Sequence, residues 1–155
     1  VWLYNEKEVD GSQILGYNNF VPVGFVYRIT NLTNDRKYIG KKLLKFTRTK
    51  TIKGKKKKVL IDSDWKTYFG SSNTLTKDVE TLGESNFKRE ILVFCKSRGE
   101  CNYLEALFQF QERVLERDDY YNDQIRCRIY RSHVKKKEKP IEKAYSRSSV
   151  SVRIN

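Results

Sequence analysis

Apolar and polar positions follow two periods along this chain. Residues 22–30 are rich in β-branched and aromatic side chains, and they end in Thr30-Asn31-Leu32-Thr33-Asn34-Asp35, a turn composition. Residues 36–40 resume the strand pattern, which predicts a β-hairpin. Across residues 43–61, Thr47, Thr49 and Thr51 alternate, Lys53-Gly54-Lys55 supplies a turn and Val59-Leu60-Ile61 returns. This pattern predicts a second hairpin, inserted after the first. A short helix is expected through Trp65 and Tyr68, with Ser63 or Asp64 as its cap and Gly70 closing it. Asn73 is the expected cap of another helix, whose Leu75, Val79 and Leu82 share a face before Gly83. Phe87 to Cys95 is apolar enough for a strand covered on both faces. Residues 99–117 repeat at helical spacing, with Leu104, Leu107, Phe108, Val114 and Leu115 as the core stripe.

These elements predict an α+β fold of sandwich-like build. A small, mainly antiparallel three-stranded central sheet is flanked by helices and carries the inserted hairpin. Residues 1–20 read as an N-terminal arm packed by Trp2, Leu3 and Tyr4, with Asp10-Gly11-Ser12 and Gly16-Tyr17-Asn18-Asn19 as loop signals. Residues 21–125 form the expected domain. Residues 126–155 carry ten Lys or Arg against two acidic residues and read as a basic tail.

Charge narrows the partners. The 155 residues suit one domain with one core, and the formal net charge is +13. Such a surplus points to a polyanion, nucleic acid first and an acidic membrane surface second. No apolar stretch approaches the length of a membrane span, and no signal-peptide pattern opens the chain. The expectation is a soluble intracellular protein. Cys95, Cys101 and Cys127 are odd in number and form no C-x-x-C pair, so a disulfide framework and a zinc site are both disfavoured.

Two segments carry the chemistry. Gly24-Phe25-Val26-Tyr27-Arg28-Ile29-Thr30-Asn31 precedes Lys37-Tyr38-Ile39-Gly40-Lys41-Lys42. The spacing allows Tyr27 and Tyr38 to stand on neighbouring antiparallel strands and converge on one surface. Glu105 lies at the edge of the long helix's apolar stripe, where a carboxylate can face a sheet without full burial. Tyr121-Asn122 follows it by seventeen residues.

In this order and spacing, residues 24–122 resemble the GIY-YIG nuclease family. The resemblance implies a DNA endonuclease of homing or phage type. Tyr27 would hold or deprotonate the nucleophilic water, with Lys41 or Lys42 lowering its pKa. Tyr38 and Gly40 match the second motif. Glu105 would bind a divalent metal, Mg2+ first and Mn2+ second, and Asn122 would give polar support. Phe25 occupies the glycine position of the first motif. The family's helical Arg has no clear counterpart, because the hairpin interrupts that region. Lys66 in Trp65-Lys66-Thr67-Tyr68 is favoured over Arg48 as the phosphate-neutralising cation, and Tyr68 joins the candidate catalytic set. His133 falls outside the match and receives no role.

Six lysines lie within the nine residues 50–58. Lys50, Lys53, Lys55, Lys56, Lys57 and Lys58, with Arg48, are expected to neutralise duplex DNA phosphates more than to read bases. Arg126, Arg128, Arg131 and Lys135 to Lys137 would extend that footprint. A lone site cuts one strand at a time, so duplex cleavage calls for a dimer on DNA, sequential action or a second binding event. The rival reading is a non-catalytic DNA- or RNA-binding module that keeps the fold.

Overall fold

The computed structural model describes residues 1–11 and 20–134. Lys135 to Lys137, with the rest of the basic tail beyond residue 134, and the loop signal at residues 16–19 lie outside the described residues. The first hairpin forms as its pattern predicts. Strands β3 (Gly24–Asn31) and β4 (Arg36–Leu43) pair antiparallel from Asn31↔Arg36 to Gly24↔Leu43. The later strand, Phe87–Cys95, pairs antiparallel along the other side of β3, with a register shift between Val26 and Tyr27.

The expected three-stranded sheet is a mixed five-stranded one. Residues 2–9 supply the two further strands, β1 (Trp2–Tyr4) and β2 (Lys7–Val9). Asn5 and Glu6 both adopt positive φ, 50° and 66°, the backbone of a two-residue hairpin turn of the mirror-image class. Strand β1 then lies parallel to the Phe87–Cys95 strand, with Trp2 beside Arg89. With the inserted hairpin strands β5 (Lys45–Ile52) and β6 (Lys55–Asp62), the Phe87–Cys95 strand becomes β7, and the sheet order is β2-β1-β7-β3-β4.

Alternation along β3 divides two cores. Phe25, Tyr27 and Ile29 face one side, where they meet Trp2, Trp65, Leu75 and Val79. That side is covered by the 3-10 turn Trp65–Thr67 and helix α1 (Asn73–Leu82). Val26, Ile39 and Val93 face the other side and meet Cys101 and Leu104 of helix α2 (Arg98–Gln111). Ser72 caps α1 by accepting from the Leu75 N–H at 3.3 Å, so the expected cap Asn73 is the first residue inside. Helix α2 stops short of its predicted end. Arg113 turns left-handed at φ 53°, and a 3-10 turn follows over Val114–Glu116. The break sends Val114 into the core and leaves Leu115 52% exposed, so Leu115 is not a core residue.

Strands β5 and β6 form a sheet of their own. Lys53 and Gly54 make the turn at φ 51° and 76°, where Gly removes the Cβ penalty. The root is tied to the body, because Ser63 N–H donates to the Leu44 carbonyl and Leu44 N–H to the Val23 carbonyl, each at 2.9 Å. Helix α3 (Arg131–Val134) rests on α2, with His133 over Gly99. Among the described residues no helix is long and apolar enough to cross a membrane.

Candidate active site

The site begins at a glycine. Tyr27 on β3 pairs with Gly40 on β4, and Ile29 pairs with Tyr38, so both tyrosines emerge on the same face. Their ring centroids are 6.2 Å apart. A Cβ at position 40 would lie 2.5 Å from the Tyr27 Oη and 2.9 Å from the Tyr38 ring. Glycine is therefore required for close approach rather than for a turn. The Tyr27 ring lies directly over the β4 backbone, held by Trp2 at 5.3 Å and Tyr68 at 6.1 Å between centroids.

Tyr68 completes a cluster of three phenols. The Tyr27 hydroxyl hydrogen-bonds to that of Tyr68. Tyr38 shares a 2.9 Å hydrogen bond with the Ser71 hydroxyl. Tyr27 is only 1% exposed, whereas Tyr38 and Tyr68 are half-buried. Burial pushes the Tyr27 phenol well above its ordinary value, and Tyr68, Tyr38 and Glu105 push it further. This reverses the expectation that a neighbouring lysine would favour the phenolate. Burial also raises Tyr38, against the hydrogen bond from Ser71.

Burial outweighs the lysines of β4, which alternation sends to opposite faces. Lys41 turns to α2, where its Nζ donates to the Asn102 side chain and lies 3.9 Å from a Glu105 oxygen. Lys42 stays on the tyrosine side. Its Nζ lies 3.9 Å from the Tyr68 ring centroid and 2.6 Å from Asp64 Oδ1, and it holds the Asp64 carboxyl below its ordinary value.

Glu105 reaches the same place from α2, around the free edge of β4. Its carboxylate accepts from the Lys41 backbone N–H. The rest of that edge is closed by residues 119–122. Lys37 N–H donates to the Asp119 carbonyl at 2.8 Å, and Tyr121 N–H to the Lys37 carbonyl at 2.7 Å. Asn122 then spends both ends of its amide on Ile39: Oδ1 accepts from the N–H at 3.0 Å and Nδ2 donates to the carbonyl at 2.8 Å. Gln109 also donates to that carbonyl, at 2.9 Å. The outward N–H groups of residues 37, 39 and 41 thus meet a backbone carbonyl, Asn122 and Glu105 in turn, so none is left as an open edge. Burial raises the Glu105 carboxyl, with Lys41 opposing. Its charged form is therefore incompletely compensated, which a hard cation would relieve. Among the described residues no three His, Cys, Asp or Glu side chains cluster as a metal site. An ion at Glu105 would complete its shell with water and phosphate oxygens.

A family model described as "Putative endonuclease segE, GIY-YIG domain" matches residues 2–125. The chain belongs to the GIY-YIG domain family. Phage T4's "Putative endonuclease segD" is 32% identical over 95 residues, 61% of this chain and 35% of that protein. The chain thus aligns with about a third of that relative's length. No solved structure matches.

Within the GIY-YIG frame, the candidates divide by location. Tyr27 and Tyr38 pack on Gly40 with Tyr68 against Tyr27, while Lys41 and Glu105 pair on the α2 side of β4, where the carboxylate still acts on the Tyr27 and Tyr38 phenols. Asn122 stands directly behind them as a backbone clamp. Phe25, at the family's glycine position, is buried against Trp2 and Trp65. Lys66 extends along Trp65, its Nζ 5.8 Å from that ring and beside Gly11. Arg48 lies on β5 over the Phe46 ring. Arg126, Arg128 and Arg131 are exposed.

Arg89 was not anticipated. It is buried in β7 and donates to the carbonyls of Lys66 and Tyr68 at 3.1 and 2.9 Å, between the rings of Trp2 and Phe69. It locks the loop that carries Tyr68. Arg89 sits between Lys88 and Glu90 in a charged run that reads as exposed; its place in the alternation Phe87, Arg89, Ile91, Val93, all buried, was the signal.

Proposed function

We propose that this chain is a metal-dependent DNA endonuclease that hydrolyses phosphodiester bonds at the edge of β4. The observation that carries the reading is the packing of Tyr27 and Tyr38 on Gly40, with Tyr68 against Tyr27 and the Glu105 carboxylate near enough to act on the Tyr27 and Tyr38 phenols. These four side chains come from two strands, a loop and a helix, at the cost of burying hydroxyl and carboxyl groups.

Glu105 would hold the divalent ion, Mg2+ or Mn2+. When bound, the ion supplies Lewis acidity toward the phosphate and acidifies water. Tyr27 stays protonated in the resting site, since burial disfavours the phenolate. Its role is to orient: it donates to Tyr68 and fixes the half-buried hydroxyls that meet the water and the phosphate. Lys41 opposes the rise that burial imposes on the Glu105 carboxyl. Lys42, beside Tyr68, is better placed than Lys66 or Arg48 to neutralise charge on the equatorial phosphate oxygens. As an ammonium it acts as a point charge, without the fork of an arginine. Duplex DNA is the proposed substrate, with the exposed basic hairpin and Arg126, Arg128 and Arg131 neutralising its backbone.

Relaxation of supercoiled plasmid with and without Mg2+, by the native chain and by Glu105→Ala, tests the proposal. Magnesium-dependent cleavage that the variant loses while still binding duplex is expected. Equal binding by both chains with no cleavage by either would leave the binding-module reading in its place.

A further inference from the structure

The two faces of the β5–β6 ribbon are chemically different, and the register defines them. Side chains directly opposite on an antiparallel pair project to the same face. Arg48↔Val59, Lys50↔Lys57 and Ile52↔Lys55 therefore share a face with Phe46↔Ile61. Lys45↔Asp62, Thr47↔Leu60, Thr49↔Lys58 and Thr51↔Lys56 share the other. The contact of the Arg48 guanidinium with the Phe46 ring, 5.0 Å from its centroid, agrees with this division.

On the threonine face each tip lysine stands opposite a neutral threonine, and Lys45 has Asp62 at 3.8 Å. This is an ordinary solvated strand surface. On the Arg48 face, Lys50 stands directly opposite Lys57. Arg48 and Lys55 are each two residues along from one of them, and no acidic residue belongs to the face. Like charges directly opposite destabilise a strand pair. In a ribbon with no second layer to hold it, that arrangement is relieved by an anion lying along the face.

Resting on the nuclease reading above, we infer that the face of Arg48, Lys50, Lys55 and Lys57 is the one laid against the duplex backbone, with the threonine face turned to solvent. Lysines two residues apart on one strand are about 6.7 Å apart along it, so the four cations form an extended strip rather than a point. A two-stranded ribbon is narrow enough to follow a major groove. The root of the ribbon joins the active site through Lys42, whose Nζ is 2.6 Å from Asp64 Oδ1 just past β6. A strand bound along the ribbon is thereby led toward Tyr68.

Two variants that remove equal charge separate the faces: Lys50→Gln with Lys57→Gln, and Lys56→Gln with Lys58→Gln. Binding to one duplex oligonucleotide is measured from about 50 to about 200 mM salt. Loss of two phosphate contacts lowers the log–log salt slope by about 1.8, so the native affinity falls about 12-fold more than that of the first variant over this range. The second variant is expected to lower the slope by less than half as much. Equal changes in both variants overturn the assignment of a face and leave the nuclease reading standing. A native chain that fails to bind the duplex at low salt overturns the nuclease reading along with it. Binding of the native chain to anionic vesicles but not to the duplex would make the same strip a membrane-facing one and also overturns the inference.

Discussion

A methyl group at Gly40 should damage both stability and catalysis, and the two effects have one cause. The added Cβ would lie 2.5 Å from the Tyr27 Oη, 2.8 Å from its Cζ and 2.9 Å from Tyr38 Cε1. Comfortable carbon contacts lie at about 3.5–4.0 Å, so the Tyr27 ring must retreat by roughly 1 Å. It has little room, because Trp2, Phe25 and Tyr68 surround it at centroid distances of 5.3, 6.2 and 6.1 Å. Overpacking of this kind costs about 1–3 kcal/mol. A displacement near 1 Å at a reacting group costs on the order of 10²-fold in rate. Tyr27→Phe removes the nearest clashing atom and also one hydrogen bond, for a cost of about 0.5–1.5 kcal/mol alone. In the double variant the two costs overlap, so their sum should exceed the measured loss by about 0.5–1 kcal/mol. Urea unfolding of the four chains gives this coupling directly, and plasmid cleavage by Gly40→Ala gives the rate. Losses that add to within about 0.3 kcal/mol would show that the two side chains do not compete for one space. Gly40→Ala with native stability and native cleavage would refute the close approach.

Three further outcomes follow from the site. The Glu105 carboxyl is raised above its ordinary 4.5 by burial, with Lys41 opposing. The folded state therefore holds its proton where the unfolded chain has released it, and stability falls as pH rises through that window. Glu105→Gln should lack this fall and gain on the native chain between about pH 4 and about pH 8 in urea unfolding, and the opposite trend contradicts the assignment. Asn122→Ala strips the Ile39 N–H of its buried partner and should cost about 1–3 kcal/mol by the same method, whereas a loss below about 0.5 kcal/mol would deny the clamp. Lys42→Gln should slow plasmid cleavage at least about tenfold while Lys66→Gln stays near native, and the reverse ranking would return the phosphate role to Lys66.

The β3–β4 hairpin and β7 were legible because β-branched and aromatic runs ended in turn residues, and both tyrosines fell on one face as their spacing implied. The inserted hairpin was legible through its threonine alternation and Gly54. Strands β1 and β2 were missed for a physical reason. Each has only three residues, and the turn between them uses Asn5-Glu6, which lacks the glycine that marks such turns. Residues 119–122 carry no sustained period, yet they close part of the β4 edge through backbone groups that every residue carries. The position of Lys66 was illegible for a different reason: a 3-10 turn of three residues has no sustained period, so no pattern says which side a lysine takes. The pKa of Tyr27 was misjudged because a lysine nearby in sequence says nothing about the burial that dominates the shift.

The most direct test of the site is the single-turnover rate of plasmid cleavage by Tyr27→Phe with Mg2+ present. The hydroxyl is the only atom removed, and the ring keeps its packing against Trp2 and Tyr68. A fall of about 10²-fold or more, with duplex binding unchanged, is the predicted result. Cleavage by Tyr27→Phe at the native rate would contradict the claim that the phenols gathered over Gly40 organise the chemistry.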